Sequence, residues 1–512
     1  MRCLLVLPAL LGALAGCALR SSAVSAPPRA GSAPPPAASV PAALEYRFTL
    51  DAGLQTLSVQ LCPRGALPVR LVPGMSDARS MLKRALIERE GAAIELAVDE
   101  QGIPLTGLRA GECMRYELDL STERGGIGAP KVHRSGEAVM ANLAALLWRP
   151  VDHGRYQDVR ASFALPPGMA LSVPWPRDGA SGTAAEPARY VLDSTAFAFH
   201  AYAAFGELTL RELQVAGSTI ELAVLDGLSP EQCASVARWV TVQANAFATL
   251  AGRLPREHLQ IVVLPMGGDS SGPIRFGSMT RGGGASVGIL MASSFDEAEL
   301  MADWVLVHEL SHLLHPFVNR GQAWLSEGIA TYYQEVLRAR GGLQSSAAAW
   351  KRILDGSRQG ESMGVSLEQG AAEMYTTYRF APVYWGGAAV MLLADVELRR
   401  RSGGARSLDD VLMELSRCCS EGSRAWSAAE VGERIDAIAG VPVMRELITS
   451  VVRADGFPTL SALFAQLGLD EEGRAAPAAP LATVRDAIMR PAAREPSLRA
   501  EGSGGTRVPD QP

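Results

Sequence analysis

Residues 304 to 334, WVLVHELSHLLHPFVNRGQAWLSEGIATYYQ, leave the chain few ways to fold. Three of its seven histidines fall here within eight positions, at 308, 312 and 315. His308 and His312 stand at i and i+4, so on a helix their rings leave one face a turn apart and can meet one ion at Zn–N distances of about 2.0–2.1 Å. Glu309 is placed to face that ion's open position rather than fill it, which suits a general base acting on metal-bound water. Two histidines leave a catalytic centre one protein ligand short. Glu327, fifteen positions past His312, supplies it if Pro316 ends the first helix and a loop at 316–322 lets a second helix, from about Ala323, fold back antiparallel. A histidine six positions after His312 would give a different ligand set, but position 318 is valine. His315, nearer the loop, reads as a packing residue or a contact to substrate. Zinc, one ion per chain, is the metal that such N and O donors favour.

A chain of 512 residues is long enough for several domains and a large core. Its 48% hydrophobic residues, 20% charged residues and net charge of -6 describe a globular protein and give no basic footprint for nucleic acid. At the N-terminus, Arg2 precedes an apolar run from Leu4 to Leu14 and then Leu14-Ala15-Gly16-Cys17, which resembles a bacterial lipobox. Residues 1–17 are then a lipoprotein signal peptide and Cys17 the lipidated first residue of the mature chain. An ordinary cleaved signal peptide is the alternative, since Ala13 and Ala15 also fit a cleavage site. Either reading exports the chain, and Ala18 after the cysteine favours an outer-membrane lipoprotein facing the periplasm. Five cysteines remain, and Cys62 with Cys113 is the expected disulfide because both lie in one β-patterned region. Neighbouring Cys418 and Cys419 are one step apart, too close for unstrained disulfide geometry, and their partners, like that of Cys233, stay open.

Residues 18–44 are a Pro/Ala-rich linker. Short alternating runs such as YRFTL, TLSVQLC and RYELDL then predict an all-β domain, a sandwich or saddle, over 45–226. From Ser229 the pattern mixes helix and strand. Pro230 sits at a first-turn position, LQIVVLP and SVGILMAS read as strands, and Ser294 with Glu297 forms a capping box that opens the histidine helix. This α+β segment is assigned to 227–345, a helical domain to 346–475, and a disordered tail to 476–512.

HELSH with WLSEGIATYY resembles the gluzincin metallopeptidases, specifically the aminopeptidase N and glycyl aminopeptidase families. YWGGAAVMLLADVELRRRSGGARSLDDVLMEL, residues 384 to 415, is similar to the tyrosine segment of the glycyl aminopeptidases. The resemblance spans about residues 45 to 472. It implies a saddle-like β domain, a thermolysin-like catalytic domain and a helical domain closing the cleft. It also implies a zinc peptidase with Thr331 beside the ligands and Tyr384 as the donor to the oxyanion, Tyr375 and Tyr378 being the other candidates. Peptide is the implied substrate.

The departures bear on specificity. Aminopeptidase N relatives carry Gly-x-Met-Glu-Asn beside the cleft, whose glutamate binds the substrate's free amine. Here the stretch is Gly277-Ser278-Met279-Thr280-Arg281, with no acid and a cation that would repel an amine. Gly277, Met279 and Arg281 are expected to line the cleft, with SVGILMA as an edge on which a peptide adds as a strand. Three readings stay open: an aminopeptidase-like enzyme, an endopeptidase of the same fold, and a non-catalytic peptide-binding lipoprotein that keeps its zinc.

Overall fold

The computed structural model describes residues 43–125, 131–179, 188–268 and 272–491. Residues 1–42, which hold the expected leader with Cys17 and most of the expected linker, and the chain beyond 491 lie outside the described residues. The protein is multidomain, a sheet-rich N-terminal region followed by a helical C-terminal one. No helix of the described residues is long and apolar enough to cross a membrane.

In the first sheet, buried and accessible residues alternate along Ala43–Leu50 and Thr56–Arg64, so one face packs and the other is open. Seven strands form it, Ala43–Leu50 pairing antiparallel with Thr56–Arg64 and parallel with Asp158–Ala164. Cys62 and Cys113 are bonded where Thr56–Arg64 pairs with Met114–Asp119. At a sequence separation of 51, the bridge stabilises by about 4 kcal/mol in the chain-entropy model. Cys418 and Cys419 are also bonded to each other, at the end of the helix Leu408–Cys419, and Cys233 is buried and has no disulfide partner among the described residues. Sequence neighbours joined in this way close a small ring rather than a loop of chain.

A five-stranded mixed sheet carries the site. Its order is Leu208–Val215, Ser218–Leu225, His258–Met266, Ser286–Ala292 and Ile274–Thr280. The first two strands fall before residue 226, so the β region ends earlier than its alternation suggested. They belong here because Ser218–Leu225 pairs parallel with His258–Met266 across the helix Pro230–Ala248, a crossover unit that a boundary at 226 would cut. Ser229 opens that helix through a reciprocal capping box with Gln232. Met140, Tyr202 and Ala204 of a four-stranded sheet pack against Leu225, Val262 and Leu290, joining the two regions.

Two sequence expectations change here. SVGILMA is not the cleft edge, because Ser286–Ala292 is buried along its whole length between two neighbours. The edge is Ile274–Thr280, antiparallel to it. Nor does Ser294 open the histidine helix. Asp296 caps a short helix, Glu297–Ala302, by accepting from the N–H groups of Ala298 and Glu299. The chain then breaks, and the histidine helix, Val305–Ser311, begins with Asp303 accepting from Val305 N at 2.8 Å.

The segment beyond 475 is structured as far as 491. Ala482–Ile488 is a helix, with Ile488 buried and its carbonyl accepting two hydrogen bonds from Arg340. Buried Arg485 donates to Leu467 O and Ala476 O at 2.9 and 2.7 Å. The Ala/Pro-rich composition concealed two residues that dock.

Candidate active site

The histidine helix lies against both the edge strand and the glutamate helix, Ala323–Arg340. The glutamate helix is fixed from behind by a buried network. Tyr332 OH donates to Asp395 at 2.9 Å and Tyr333 OH to Asp409 at 2.8 Å, and Arg399 and Arg340 supply the balancing charge to these two carboxylates. Asp395 lies on the tyrosine helix, Phe380–Arg401. The two helices cross at Gly328 and Gly387, where a Cβ on Gly387 would stand 2.0 Å from Trp324 O and 2.8 Å from Gly328 Cα. That close approach brings the first turns of the tyrosine helix beside Glu327.

His308, His312 and Glu327 offer ligand atoms that all lie within 4.8 Å of one another. Glu327 Oε2 is 3.3 Å from His308 Nε2 and 3.8 Å from His312 Nε2. Donors bound tetrahedrally at zinc distances are about 3.3 Å apart, so the set fits one such ion.

The tautomers are set by what holds the far side of each ring. Gln334 Nε2 donates to Glu335 at 3.0 Å, which turns Gln334 Oε1 toward His308 Nδ1 at 2.9 Å as an acceptor. His315 Nδ1 donates to Pro316 O at 2.7 Å, leaving its Nε2 to accept from His312 Nδ1 at 3.3 Å. Both metal-site histidines therefore carry hydrogen on Nδ1 and present the Nε2 lone pair to Glu327's side. Burial, with the neighbouring cations, holds His312 well below the ordinary histidine range and His315 at about 3, so both are neutral at pH 7. Burial also opposes charge on His308, but the Glu327 and Glu309 carboxylates outweigh it and raise this imidazole.

Glu309 is buried beside the ligands, with Oε2 accepting from Met279 N at 2.7 Å. Burial pushes its carboxyl up to about 7, His308 opposing. Tyr384 lies with its ring parallel to that of His308, centroids 6.1 Å apart. Burial, reinforced by the Glu327 carboxylate, raises its phenol, which stays a donor. Tyr375 and Tyr378 are exposed, and Tyr375 instead stacks under the Arg320 guanidinium at 3.8 Å.

Of the expected cleft residues, Gly277 and Met279 approach Glu309 and Arg281 does not line the cleft. Arg281 turns under the histidine helix and donates to the carbonyls of His312 and His315. Helix-end carbonyls lack partners within the helix, and this half-buried cation satisfies them. Thr331 differs too. Its buried hydroxyl makes no hydrogen bond, and Gln334 takes the expected place behind the ligands. Gln334 lies at i+7 from Glu327, on the same helix face, a spacing that could have found it. Tyr202 was also missed. Its ring fills the space left by Gly288, and its phenol lies near Ser278 and Glu309.

No family model and no curated protein matches the sequence. Solved structures do match the fold. An aminopeptidase N family protein from Idiomarina loihiensis gives a TM-score of 0.63 at 16% identity, covering 83% of this chain and 78% of that one. An M1 zinc metallopeptidase from Deinococcus radiodurans gives 0.50 at 16% identity, covering 82% and 94%. The fold is gluzincin aminopeptidase-like.

Two predictions concern how these three side chains would hold a metal. A metal must displace the proton that the raised His308 retains, so zinc affinity should rise with pH through that raised value and level off above it. Chelator competition at pH 6 and pH 8 measures this, and equal affinities would contradict it. Second, Glu335 is buried without exposure and acts on His308 through Gln334. Glu335→Ala should weaken zinc binding by about 10–100-fold. The exchange of Gln334→Glu with Glu335→Gln, which puts a carboxylate directly on Nδ1, should restore it. A merely structural Glu335 would lower Tm and leave the folded protein's zinc affinity unchanged.

Proposed function

We propose that this chain is a zinc-dependent peptidase, aminopeptidase-like, that cleaves peptide bonds with water. The observation that carries the reading is the meeting of three donors, a buried carboxylate and a phenol in one cleft. His308, His312 and Glu327 would hold the ion. Bound zinc polarises a carbonyl and makes water nucleophilic at neutral pH. Glu309 takes the proton of the attacking water and returns it to the leaving amine, a task suited to a carboxylate held out of solvent beside the three donors. Tyr384 donates to the developing oxyanion. The edge strand Ile274–Thr280 has no strand on its outer side, and apart from the Met279 N–H, which Glu309 holds, its backbone is the one along which a peptide pairs.

Endopeptidase activity is the second reading, and one observation favours it. The edge strand IRFGSMT has no carboxylate to bind a free amine, and Thr280 spends its hydroxyl on Ser286 O. A mutant of the Deinococcus radiodurans M1 enzyme with a similar fold is bound to a Tyr-Ser-Ala substrate. A non-catalytic binding protein would have no use for Glu309.

The test is to incubate the whole mature chain and its Glu309→Gln variant, zinc content confirmed, with an unbiased peptide mixture and to read the products by mass spectrometry. Products that depend on Glu309 establish the peptidase. Single N-terminal losses then indicate an aminopeptidase and internal cuts an endopeptidase. Identical spectra would leave the binding protein. Export and lipidation at Cys17, with the outer membrane as destination, are proposed with it. Cys17→Ser should release the protein from the membrane fraction.

A further inference from the structure

A groove of about 440 Å³ opens beside His308, whose ring touches two of the groove's aromatic walls. Trp304, just before the histidine helix, meets His308 edge-on at 5.5 Å between centroids. Tyr384 lies parallel to the same ring, and Phe380 meets Tyr384 edge-on at 6.4 Å. Trp385 forms a further wall. The helix Ser346–Glu361 has Gly356 where a Cβ would stand 2.0 Å from the Trp385 ring, so the indole lies flat against bare backbone. Trp304 is 39% exposed although apolar, an indole open on its groove side.

The groove's carboxylates are already engaged. Glu335 accepts from Gln334 and Gln344 at 3.0 and 2.8 Å, and Asp355 pairs with Lys351 at 3.0 Å and with Arg358 at 3.5 Å. The groove's cation, Arg352, reaches Glu335 only at 3.9 Å and stays half exposed at one wall, so the groove offers mainly aromatic faces and edges with a guanidinium at its rim. Rings stack or meet edge-on at centroid distances of about 4.5–7 Å, and a cavity of this size admits one with room to spare.

We propose that this groove binds an aromatic side chain of the residue flanking the scissile bond, with Trp304, Phe380 and Trp385 as the specificity-determining residues. The inference rests on the peptidase reading, since it assigns the substrate class of that same site. A substrate carbonyl placed at the His308 side puts an adjacent side chain against Trp304 and Tyr384, and the remaining volume runs toward Trp385.

The test uses the full chain and peptides that differ only in that residue: Ala, Leu, Phe, Tyr, Trp or Lys. The expected result is Glu309-dependent cleavage with kcat/KM about a hundredfold higher for the aromatic peptides than for the Ala and Lys peptides. Trp304→Ala and Trp385→Ala should each lower the Phe-to-Ala ratio to below about tenfold, with Trp304→Phe restoring most of it. A flat profile, a preference for Lys, or a ratio unchanged in both variants overturns the proposal. If no peptide is cleaved, the peptidase reading fails separately. Binding to Glu309→Gln, followed by quenching of tryptophan fluorescence, then decides: preferential binding of aromatic peptides supports the groove assignment, and equal binding of the Ala peptide overturns it.

Discussion

Glu309→Gln is expected to lower peptide hydrolysis by about 10²–10⁴-fold while zinc stays bound. The separation of the two effects follows from where the carboxylate sits. It is not one of the three converging donors, so its loss removes no ligand. Glutamine keeps the shape and still accepts the Met279 N–H, but it cannot take a proton. The side chain's aim depends on the strand beside it. Gly277 lets Ile274–Thr280 pass so close that a Cβ there would meet Val305 Cγ1 at 2.5 Å and Glu309 Cγ at 2.8 Å. Gly277→Ala should therefore cost turnover as well, by moving Glu309 rather than removing it. Steady-state kinetics with metal analysis on the same samples is the measurement. Wild-type turnover in Glu309→Gln would end the mechanism, and loss of zinc would make Glu309 a ligand.

The three converging side chains, His308, His312 and Glu327, were legible because their geometry is local. An i, i+4 pair is fixed by helix pitch, and Glu327 needed only a turn at Pro316. Tyr384 could be named only through a resemblance, since nothing local ties residue 384 to residue 308. What the sequence concealed is non-local. Arg281 adjoins the cleft strand in sequence, yet its side chain is drawn to the unpaired carbonyls at the end of the histidine helix. The choice of edge strand depends on pairing order, which alternation does not encode. The first two strands of the mixed sheet alternate like those of the β region and were grouped with them, although the crossover helix ties them to the catalytic sheet. Gln334 and Glu335 were legible in principle from helical spacing, but polar residues on a helix are ordinarily solvated, and only burial distinguishes these two.

Tyr384→Phe should lower kcat by about 10²–10³-fold with a smaller change in KM. The substitution removes the hydroxyl and leaves the ring over His308, so substrate contacts persist while the donor to the oxyanion is lost. This expectation has a second arm, because the hydroxyl is useful only where the helix crossing puts it. Gly328 and Gly387 set that distance, and any side chain at 387 must push the tyrosine helix away from Trp324 O and from Gly328. Gly387→Ala should thus lose kcat in the same direction without touching the phenol, and adding Tyr384→Phe to it should cost less than it does in the wild type. Fully additive losses would mean that Gly387 acts on something other than the tyrosine. An unchanged kcat in Tyr384→Phe would remove the phenol from catalysis and leave it as a wall of the groove, the role its ring already fills beside Phe380.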